Sequence, residues 1–217
     1  MFTLYGVYRS RASRIVWLAL ELGLPFKHVP VIQANRLKGE IPPGTVHTRS
    51  PEFLKVNPNG HIPSIEDEGL VLHESLAITL YLARKHGGPL APANVAEEGQ
   101  ATMWTLWAAT EVEPHSIQVL YNMAAKPPEE RDAKAATAAV EALAAPFRVL
   151  NEHLARHPFI LGDRFTVADI NVAEVMRYAL PAKTLWEAAP AVSAWLRTCH
   201  ARPAYQEMMA RRDAEPA

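Results

Sequence analysis

The sequence predicts a small α/β domain followed by an all-helical domain, and three observations support this fold class. Residues 1–83 alternate short apolar runs with stretches of helical spacing, as mixed α/β domains do. The segment KHGGPLAPANVAEE (85–98) has the glycine and proline content of a linker. Every long segment beyond it has helical periodicity. We therefore predict domains at 1–83 and 97–217, joined by a linker at 84–96.

The first half carries strand and helix signals in the order β-α-β-(short helix or loop)-β-β-α. A crossover helix implies that the first two strands are parallel, whereas a tight hairpin makes the last two antiparallel. Gly23 and Gly87 end the two main helices. This is the arrangement of a thioredoxin-like domain. The predicted elements are strands 1–5, 26–32, 62–66 and 70–73 and helices 11–23 and 74–87.

The second half is predicted to be a bundle of helices. In GDRFTVADI (162–170), Thr166 is placed as an N-cap with Asp169 three residues later, a variant of the capping box. Phe165 and Ile170 stand where a hydrophobic staple would lie, so this segment is structural and receives no chemistry. Pro114 is expected to kink the first of these helices. The predicted helices are 97–123, 129–154, 166–179, 190–201 and 203–212.

Composition excludes several classes of protein. A formal net charge of −1 removes the electrostatic reason to expect nucleic acid or a membrane surface as a partner. No basic leader and no apolar run of membrane-spanning length is present, so we expect a cytoplasmic protein. Cys199 is the single cysteine, which excludes an internal disulfide and a cysteine-rich metal site. Glu111, Glu113 and His115 follow one another at steps of two, and residues at i and i+2 of a helix point apart, so no metal is expected.

The stretch NPNGHIPSIEDEGLVLHESLAI (57–78) carries the candidate binding residues. Proline is excluded from strand interiors because it cannot donate, yet Pro63 stands at the start of a predicted strand. A cis bond there would turn the Ile62 backbone toward an extended ligand. A helix beginning at Glu74 and Ser75 offers N–H groups and a hydroxyl to a carboxylate, and Glu74 can accept from an ammonium. Together they suit a small zwitterionic peptide; alternatively, Pro63 blocks a sheet edge and Ser75 caps a helix.

Four segments resemble recurrent motifs of the cytosolic glutathione S-transferase family, in its serine-type, theta- or phi-like bacterial branches. The resemblance implies a glutathione site in the first domain, an electrophile site against the helical domain and a homodimer. It implies no metal and no cofactor beyond the co-substrate glutathione. The segments are LYGVYRSRASRIVWLALELGLPF, SPEFLKVNPNGHIPSI, LVLHESLAITLYLARKHG and LGDRFTVADI.

Ser10 is the candidate for chemistry, because glutathione reacts as its thiolate. Lowering the pKa of the thiol by about two pH units requires roughly 2.7 kcal/mol of preference for the thiolate over the thiol. A hydroxyl donor and a helix N-terminus together supply stabilisation of this order. Ser10 lies directly before the first helix and matches the activating serine of the family. Capping of that helix is the alternative role, and Ser13 and Tyr5 are rival hydroxyls. Cys199, in a late helix, fits a core residue better than a nucleophile.

The resemblance also assigns the remaining site residues. Arg49 matches a position that binds the glycine carboxylate, although Thr48 replaces the histidine often found beside it. His61 precedes Ile62 where a glutamine is frequent, and a weak glutathione contact is expected. Aromatic packing in the core is the alternative for the tryptophans of the electrophile pocket. The expected lining residues of that pocket are Tyr8, Trp104, Trp107 and His115.

The expected function is conjugation of glutathione to a small hydrophobic electrophile, as in detoxification. A second hypothesis is a glutathione-dependent disulfide reductase or isomerase on the same fold. A third is a non-catalytic relative that serves as a binding module. The complete set of Ser10, Ile62, Pro63, Glu74 and Ser75 argues against the third.

Overall fold

The structure is a computed structural model that describes residues 1–37, 39 and 41–215. All the candidate site residues lie within these ranges. Of the helices formed there, none combines the length and the apolar character that crossing a membrane requires.

The chain forms two compact units. The first comprises Met1–His86 together with the residues from Arg202 onward, and the second comprises Gly87–Ala201. The predicted domains of 1–83 and 97–217 differ from this division in one element, the last helix, which belongs to the first unit.

Four short strands of the first unit form one mixed sheet: β1 (Phe2–Tyr5), β2 (Phe26–Val29), β3 (Ser64–Asp67) and β4 (Leu70–His73). Their order is β2-β1-β3-β4, with β1 parallel to β2 and β3 antiparallel to both neighbours, which confirms the predicted pairing. β2 ends earlier than predicted because Pro30 cannot donate to a ladder. Glu68 and Gly69 both have positive φ, 54° and 83°, as a two-residue hairpin turn of type I′ requires.

The α-helices of the described residues are α1 (Ala12–Glu21), α2 (Pro51–Val56), α3 (Ser75–His86), α4 (Val95–Trp107), α5 (Glu113–Leu120), α6 (Ala133–Leu154), α7 (Val167–Met176), α8 (Lys183–Ala188), α9 (Pro190–His200) and α10 (Pro203–Ala214). The thioredoxin-like arrangement and the helical second half are confirmed. α2 is the short helix that the sequence left open. α8 was not predicted, because six residues are too few to display a period.

The C-terminal helix α10 packs on α1. The rings of Trp17 and Tyr205 meet edge to face, with their centroids 4.8 Å apart. The Arg202 guanidinium donates two hydrogen bonds to the Glu21 carboxylate, at 2.5 and 2.7 Å. These long-range contacts correct the predicted limit of the helical domain, because they place α10 with the sheet-containing unit.

The helix predicted over 97–123 is interrupted, as expected from Pro114. A π-helical turn, Ala108–Val112, separates α4 from α5. Pro114 lies in the first turn of α5, where a missing backbone donor costs nothing. The interruption therefore lies just before the proline.

The capping box at the start of α7 is confirmed. Asp169 Oδ2 accepts the Thr166 N–H at 2.8 Å and the Thr166 hydroxyl at 3.1 Å. Asp169 Oδ1 accepts two further bonds, both 2.9 Å long, from the Ile160 N–H and the Trp195 indole. Burial raises the pKa of the Asp169 carboxyl, against the opposite effect of these donors. The residue thus holds three segments of the second unit together.

Candidate functional site

Ser10 lies half-buried in the turn between β1 and α1. Its hydroxyl donates to the Val7 carbonyl oxygen at 2.7 Å, and its Oγ accepts the Ala12 N–H at 3.1 Å. The second bond satisfies the N–H of the first residue of α1, although the N-cap residue of that helix is Arg11 and not Ser10, as the alternative role predicted. A hydroxyl has one proton and two acceptor lone pairs. The proton can therefore turn from the Val7 carbonyl to a bound sulfur while Oγ keeps its bond to Ala12.

The rival side chains are less well placed than Ser10. Ser13 is fully buried within α1. The Tyr5 hydroxyl donates to Glu66 at 3.2 Å, and burial together with this bond raises the pKa of the phenol. Cys199 is buried in α9. Exposure and pairing therefore favour Ser10 as the group that can meet a thiol.

The Ile62–Pro63 peptide bond is cis, as predicted. Pairing between β1 and β3 ends where Tyr5 lies opposite Ser64. The Ile62 backbone therefore lies beyond the last paired residue of β3, at a position where an extended ligand could continue the ladder.

Gly6 brings the Ser10 turn against this segment. Its φ of 148° is one that residues with a side chain rarely adopt. A Cβ atom at position 6 would lie 3.5 Å from Ile62 Cβ and 3.6 Å from Pro63 Cα. The turn that carries Ser10 thus begins beside the Ile62–Pro63 segment, separated from it by about the space of one side-chain carbon.

Asn57, which was not among the predicted site residues, holds the segment from the other side. It is buried, and its Nδ2 donates to the His61 carbonyl at 2.8 Å and to Ser64 Oγ at 3.2 Å. Its Oδ1 accepts the Asn59 N–H at 3.0 Å, the pattern of an Asx turn. One side chain therefore fixes the backbone on both sides of Ile62.

Glu74 and Ser75 lie at the start of α3. Glu74 is exposed and adopts a φ of 73°, a left-handed conformation that is uncommon outside glycine and is found at functional sites when neighbours enforce it. Ser75 is buried, and its Oγ accepts a hydrogen bond from Arg14 Nη1 at 3.0 Å. Because Ser75 Oγ accepts from Arg14, its own proton remains available to a ligand.

Arg14 adds a buried positive charge behind the start of α3. It lies on α1 and is 1% exposed. Together with the positive end of the helix dipole, its guanidinium makes the position of Ser75 favourable for a carboxylate. Arg14 was not among the predicted site residues, because nothing in the helical spacing of 11–23 indicates which residue an inward-facing arginine meets.

Arg49 is exposed and lies beside Gly60. A Cβ at position 60 would lie 2.8 Å from Arg49 Nη1 and 2.6 Å from the Thr48 carbonyl oxygen, so only glycine fits. Thr48, the departure from the family pattern, is buried and accepts the Ala34 N–H at 3.0 Å. His61 is exposed, with its carbonyl bound to Asn57. These residues border the same loop that carries Ile62.

The residues predicted for the electrophile pocket lie in different settings. Trp104 is buried, with Trp107 edge-on at 5.1 Å and the His153 ring at 4.7 Å. Trp107 and His115 are half-buried on α4 and α5. Tyr8 belongs to the first unit, and its ring lies 4.5 Å from that of His28. The surroundings of Trp104 match those of a packing residue of the bundle.

Acidic, histidine and cysteine side chains form no cluster of three that could hold a metal ion, as far as the described residues go.

Ser75→Ala is expected to weaken glutathione binding by about tenfold to a hundredfold, because a hydrogen bond to a charged group contributes about 1.5–3 kcal/mol. Titration calorimetry with glutathione measures the change. Thr79→Ala is the matched control. It also removes a hydroxyl from α3, but the Thr79 hydroxyl donates to the Leu76 carbonyl and has no proposed contact with glutathione. Equal affinities for the wild type and Ser75→Ala would contradict the assignment.

Family models match both halves of the chain. The model described as glutathione S-transferase, N-terminal domain, matches residues 4–90. The model described as glutathione S-transferase, C-terminal domain, matches residues 115–203. The two matches fall in the sheet-containing half and the helical half, respectively.

Named relatives and solved structures agree with these matches. The glutathione S-transferase GstB of Escherichia coli is 32% identical over 213 residues, covering 96% of this chain and 98% of the relative. Glutathione S-transferase 3 of Zea mays is 33% identical, covering 95% and 92%. The theta-class enzyme of Xanthomonas axonopodis pv. citri, solved with glutathione bound, superposes with a TM-score of 0.78 at 26% identity, covering 95% of each chain. The chain belongs to the glutathione S-transferase family.

Proposed function

We propose that this glutathione S-transferase family member conjugates the glutathione sulfur to a small hydrophobic electrophile, with Ser10 as the hydroxyl that stabilises the thiolate. One observation supports the proposal above all others. The Ser10 turn begins at Gly6, where an added Cβ would reach Ile62 and Pro63, while α1, which follows that turn, reaches Ser75 through Arg14. Three backbone segments with complementary binding groups therefore adjoin at one end of the sheet.

The proposed binding mode follows from the chemistry of these groups. The γ-glutamyl carboxylate binds at the start of α3 and accepts from the Ser75 hydroxyl, while the Glu74 carboxylate accepts from the ammonium group. The cysteinyl backbone of glutathione pairs with Ile62, next to the cis Pro63. Arg49 binds the glycine carboxylate.

His61 completes the proposed glutathione contacts. It is exposed, and its carbonyl is held by Asn57. Because the backbone is fixed there, the imidazole can offer a weak contact to the tripeptide.

The reaction needs two steps that the chain's own groups support. The bound thiol loses its proton to solvent, and the thiolate is stabilised by the Ser10 hydroxyl and by the N-terminus of α1. The sulfur lone pair then attacks an electrophilic carbon, forming a carbon–sulfur bond while the leaving group departs with its electron pair. A free thiol with a pKa near 8.5 is mostly protonated at neutral pH, so this stabilisation sets the rate of attack.

We further propose Trp107 and His115 as contacts of the electrophile on the helical unit. Trp107 and His115 retain exposed surface on the helical unit, whereas Trp104 supports Trp107 through its edge-on contact. These assignments concern the second substrate only. The glutathione site does not depend on them.

A cytoplasmic location and a role in detoxification are part of the proposal.

We also propose a homodimer. Met103 and Leu106, three residues apart on α4, are 53% and 58% exposed, and Leu70 and Val71 of β4 are 44% and 39% exposed. Exposed apolar residues of this size suit a protein interface. Sedimentation of the wild type against Leu106→Glu tests the dimer, and a wild-type monomer would contradict it.

The function is tested with glutathione and two co-substrates. An activated aryl halide reports carbon–sulfur conjugation, and a small mixed disulfide reports the competing reductase activity. We expect turnover of the aryl halide to dominate. Dominant reduction of the disulfide would favour the reductase, and failure to bind immobilised glutathione would leave only the non-catalytic binding module.

A further inference from the structure

The turn that carries Ser10 is bound by a carboxylate from the other end of the chain. Glu215 follows α10, and its two oxygens accept consecutive backbone N–H groups of the turn. Oε1 accepts from Tyr8 N at 2.9 Å, and Oε2 accepts from Arg9 N at 2.8 Å. One carboxylate therefore fixes two adjacent peptide planes directly before Ser10.

The Arg9 side chain extends in the opposite direction, back to the end of α10. Its Nε donates to the Arg212 carbonyl at 3.0 Å and its Nη2 to the Asp213 carbonyl at 3.3 Å. These are carbonyls at the C-terminal end of a helix, where a cation is favourable. The Arg9 carbonyl in turn accepts from Arg36 Nη1 at 3.2 Å.

The helix that presents Glu215 is itself fixed on α1. Arg202 and Tyr205, at its start, contact Glu21 and Trp17. Glu215 is therefore attached to the same helix, α1, that Ser10 precedes. The Ser10 turn precedes α1, and the helix α10 that presents Glu215 packs on α1. Both partners are therefore anchored on the same helix, which allows Glu215 to hold the turn in a fixed position.

We propose that Glu215 is a positioning residue for Ser10, an inference that rests on the proposed function. By holding the N–H groups of Tyr8 and Arg9, its carboxylate fixes the turn from which the Ser10 hydroxyl reaches the sulfur of bound glutathione. Glu215 itself does not touch the sulfur in this role. It acts only through the backbone.

The direction in which the pKa of the bound thiol shifts distinguishes a positioning role of Glu215 from a simple effect of its negative charge. A carboxylate acting simply as a nearby negative charge disfavours the thiolate, so removing it would lower the pKa of the bound thiol. A carboxylate that positions Ser10 has the opposite effect, because its removal weakens the hydrogen bond to the thiolate and raises that pKa. The two roles predict opposite shifts.

The experiment titrates the thiolate absorbance of glutathione bound to the full chain, in the wild type, Glu215→Ala and Glu215→Gln. We expect the highest thiol pKa in Glu215→Ala and an intermediate one in Glu215→Gln, whose amide oxygen can still accept one N–H. We also expect kcat/KM for the aryl halide to fall by about tenfold to a hundredfold in Glu215→Ala, as small misplacements of catalytic groups do. The pH profile of kcat/KM moves to higher pH with it.

Asp213→Ala is the matched control. The substitution removes a carboxylate two residues before Glu215. In the described part of the chain, that carboxylate accepts from Arg212 and has no hydrogen bond to the Ser10 turn, so the thiol pKa and kcat/KM should stay at their wild-type values. A thiol pKa in Glu215→Ala that is unchanged or lowered would overturn the inference, as would a loss of rate without a shift of the pH profile. If Ser10→Ala leaves the thiol pKa at the wild-type value, the proposed role of Ser10 fails, and the positioning role of Glu215 fails with it. If Ser10→Ala shifts it and Glu215→Ala does not, only the positioning role fails.

Discussion

Ser10→Ala is expected to lower kcat/KM for an aryl halide by roughly tenfold to a hundredfold at neutral pH, the range of a lost hydrogen bond to a charged group of about 1.5–3 kcal/mol. Without the hydroxyl, the pKa of the bound thiol rises by about one to two pH units, because each pH unit corresponds to about 1.36 kcal/mol of lost stabilisation of the thiolate. Above the raised pKa the thiolate forms unaided, so the rates of wild type and variant should converge at alkaline pH. A stopped-flow pH profile and a thiolate titration measure both effects.

Two comparisons keep this result interpretable. Ser10 Oγ also accepts the Ala12 N–H at the start of α1, so Ser10→Ala should lose about 0.5–1.5 kcal/mol of stability. Ser13→Ala removes a buried hydroxyl from the same helix and tests the rival assignment. If Ser13→Ala, and not Ser10→Ala, raised the thiol pKa, the activating hydroxyl would be Ser13.

Asp169→Ala is expected to produce the largest loss of stability, about 3–5 kcal/mol of the free energy of unfolding. The substitution leaves the Ile160 N–H and the Trp195 indole N–H buried without an acceptor, at about 1–3 kcal/mol each, and removes the capping box of α7. Urea unfolding followed by tryptophan fluorescence measures the change. Since Trp195 is itself a partner, circular dichroism serves as the second probe.

Asp163→Ala is the control for Asp169→Ala. Asp163 lies in the same segment and is exposed, so its loss should change the free energy of unfolding by less than about 0.5 kcal/mol. Equal unfolding midpoints for Asp169→Ala and the wild type would refute the structural role. Because Asp169 lies in the second unit, glutathione affinity of the folded variant should be retained.

The elements that the sequence predicted share one property, namely that their cause lies within a few residues. The capping box needs only Thr166 and Asp169, and the β3–β4 hairpin needs only a two-residue turn that ends in glycine. The proline at the start of β3 was likewise informative by itself. Local stereochemistry decides such features, whatever they pack against.

The features that the sequence did not reveal depend on partners far away in the chain. Arg14 meets Ser75 across 61 residues, and Glu215 meets the Ser10 turn across more than 200. Asn57 is close in sequence to Ile62, but its role depends on its burial. The sequence does not indicate whether a single polar residue is buried. No spacing rule links such pairs.

The candidate role of Ser10 rested on its place before α1 together with the resemblance to the family. By itself the sequence determined the two-part architecture, the alternation of strands and helices, and the candidate status of Pro63, Glu74 and Ser75. Those follow from hydrophobic periodicity and backbone stereochemistry, which act over a few residues. Only the tertiary structure decided that α10 packs on α1, that Arg14 lies behind Ser75 and that Glu215 binds the turn before Ser10. These contacts exist because folding buries surfaces from distant segments together, and the partner of a side chain is chosen by that burial and not by its neighbours in the chain.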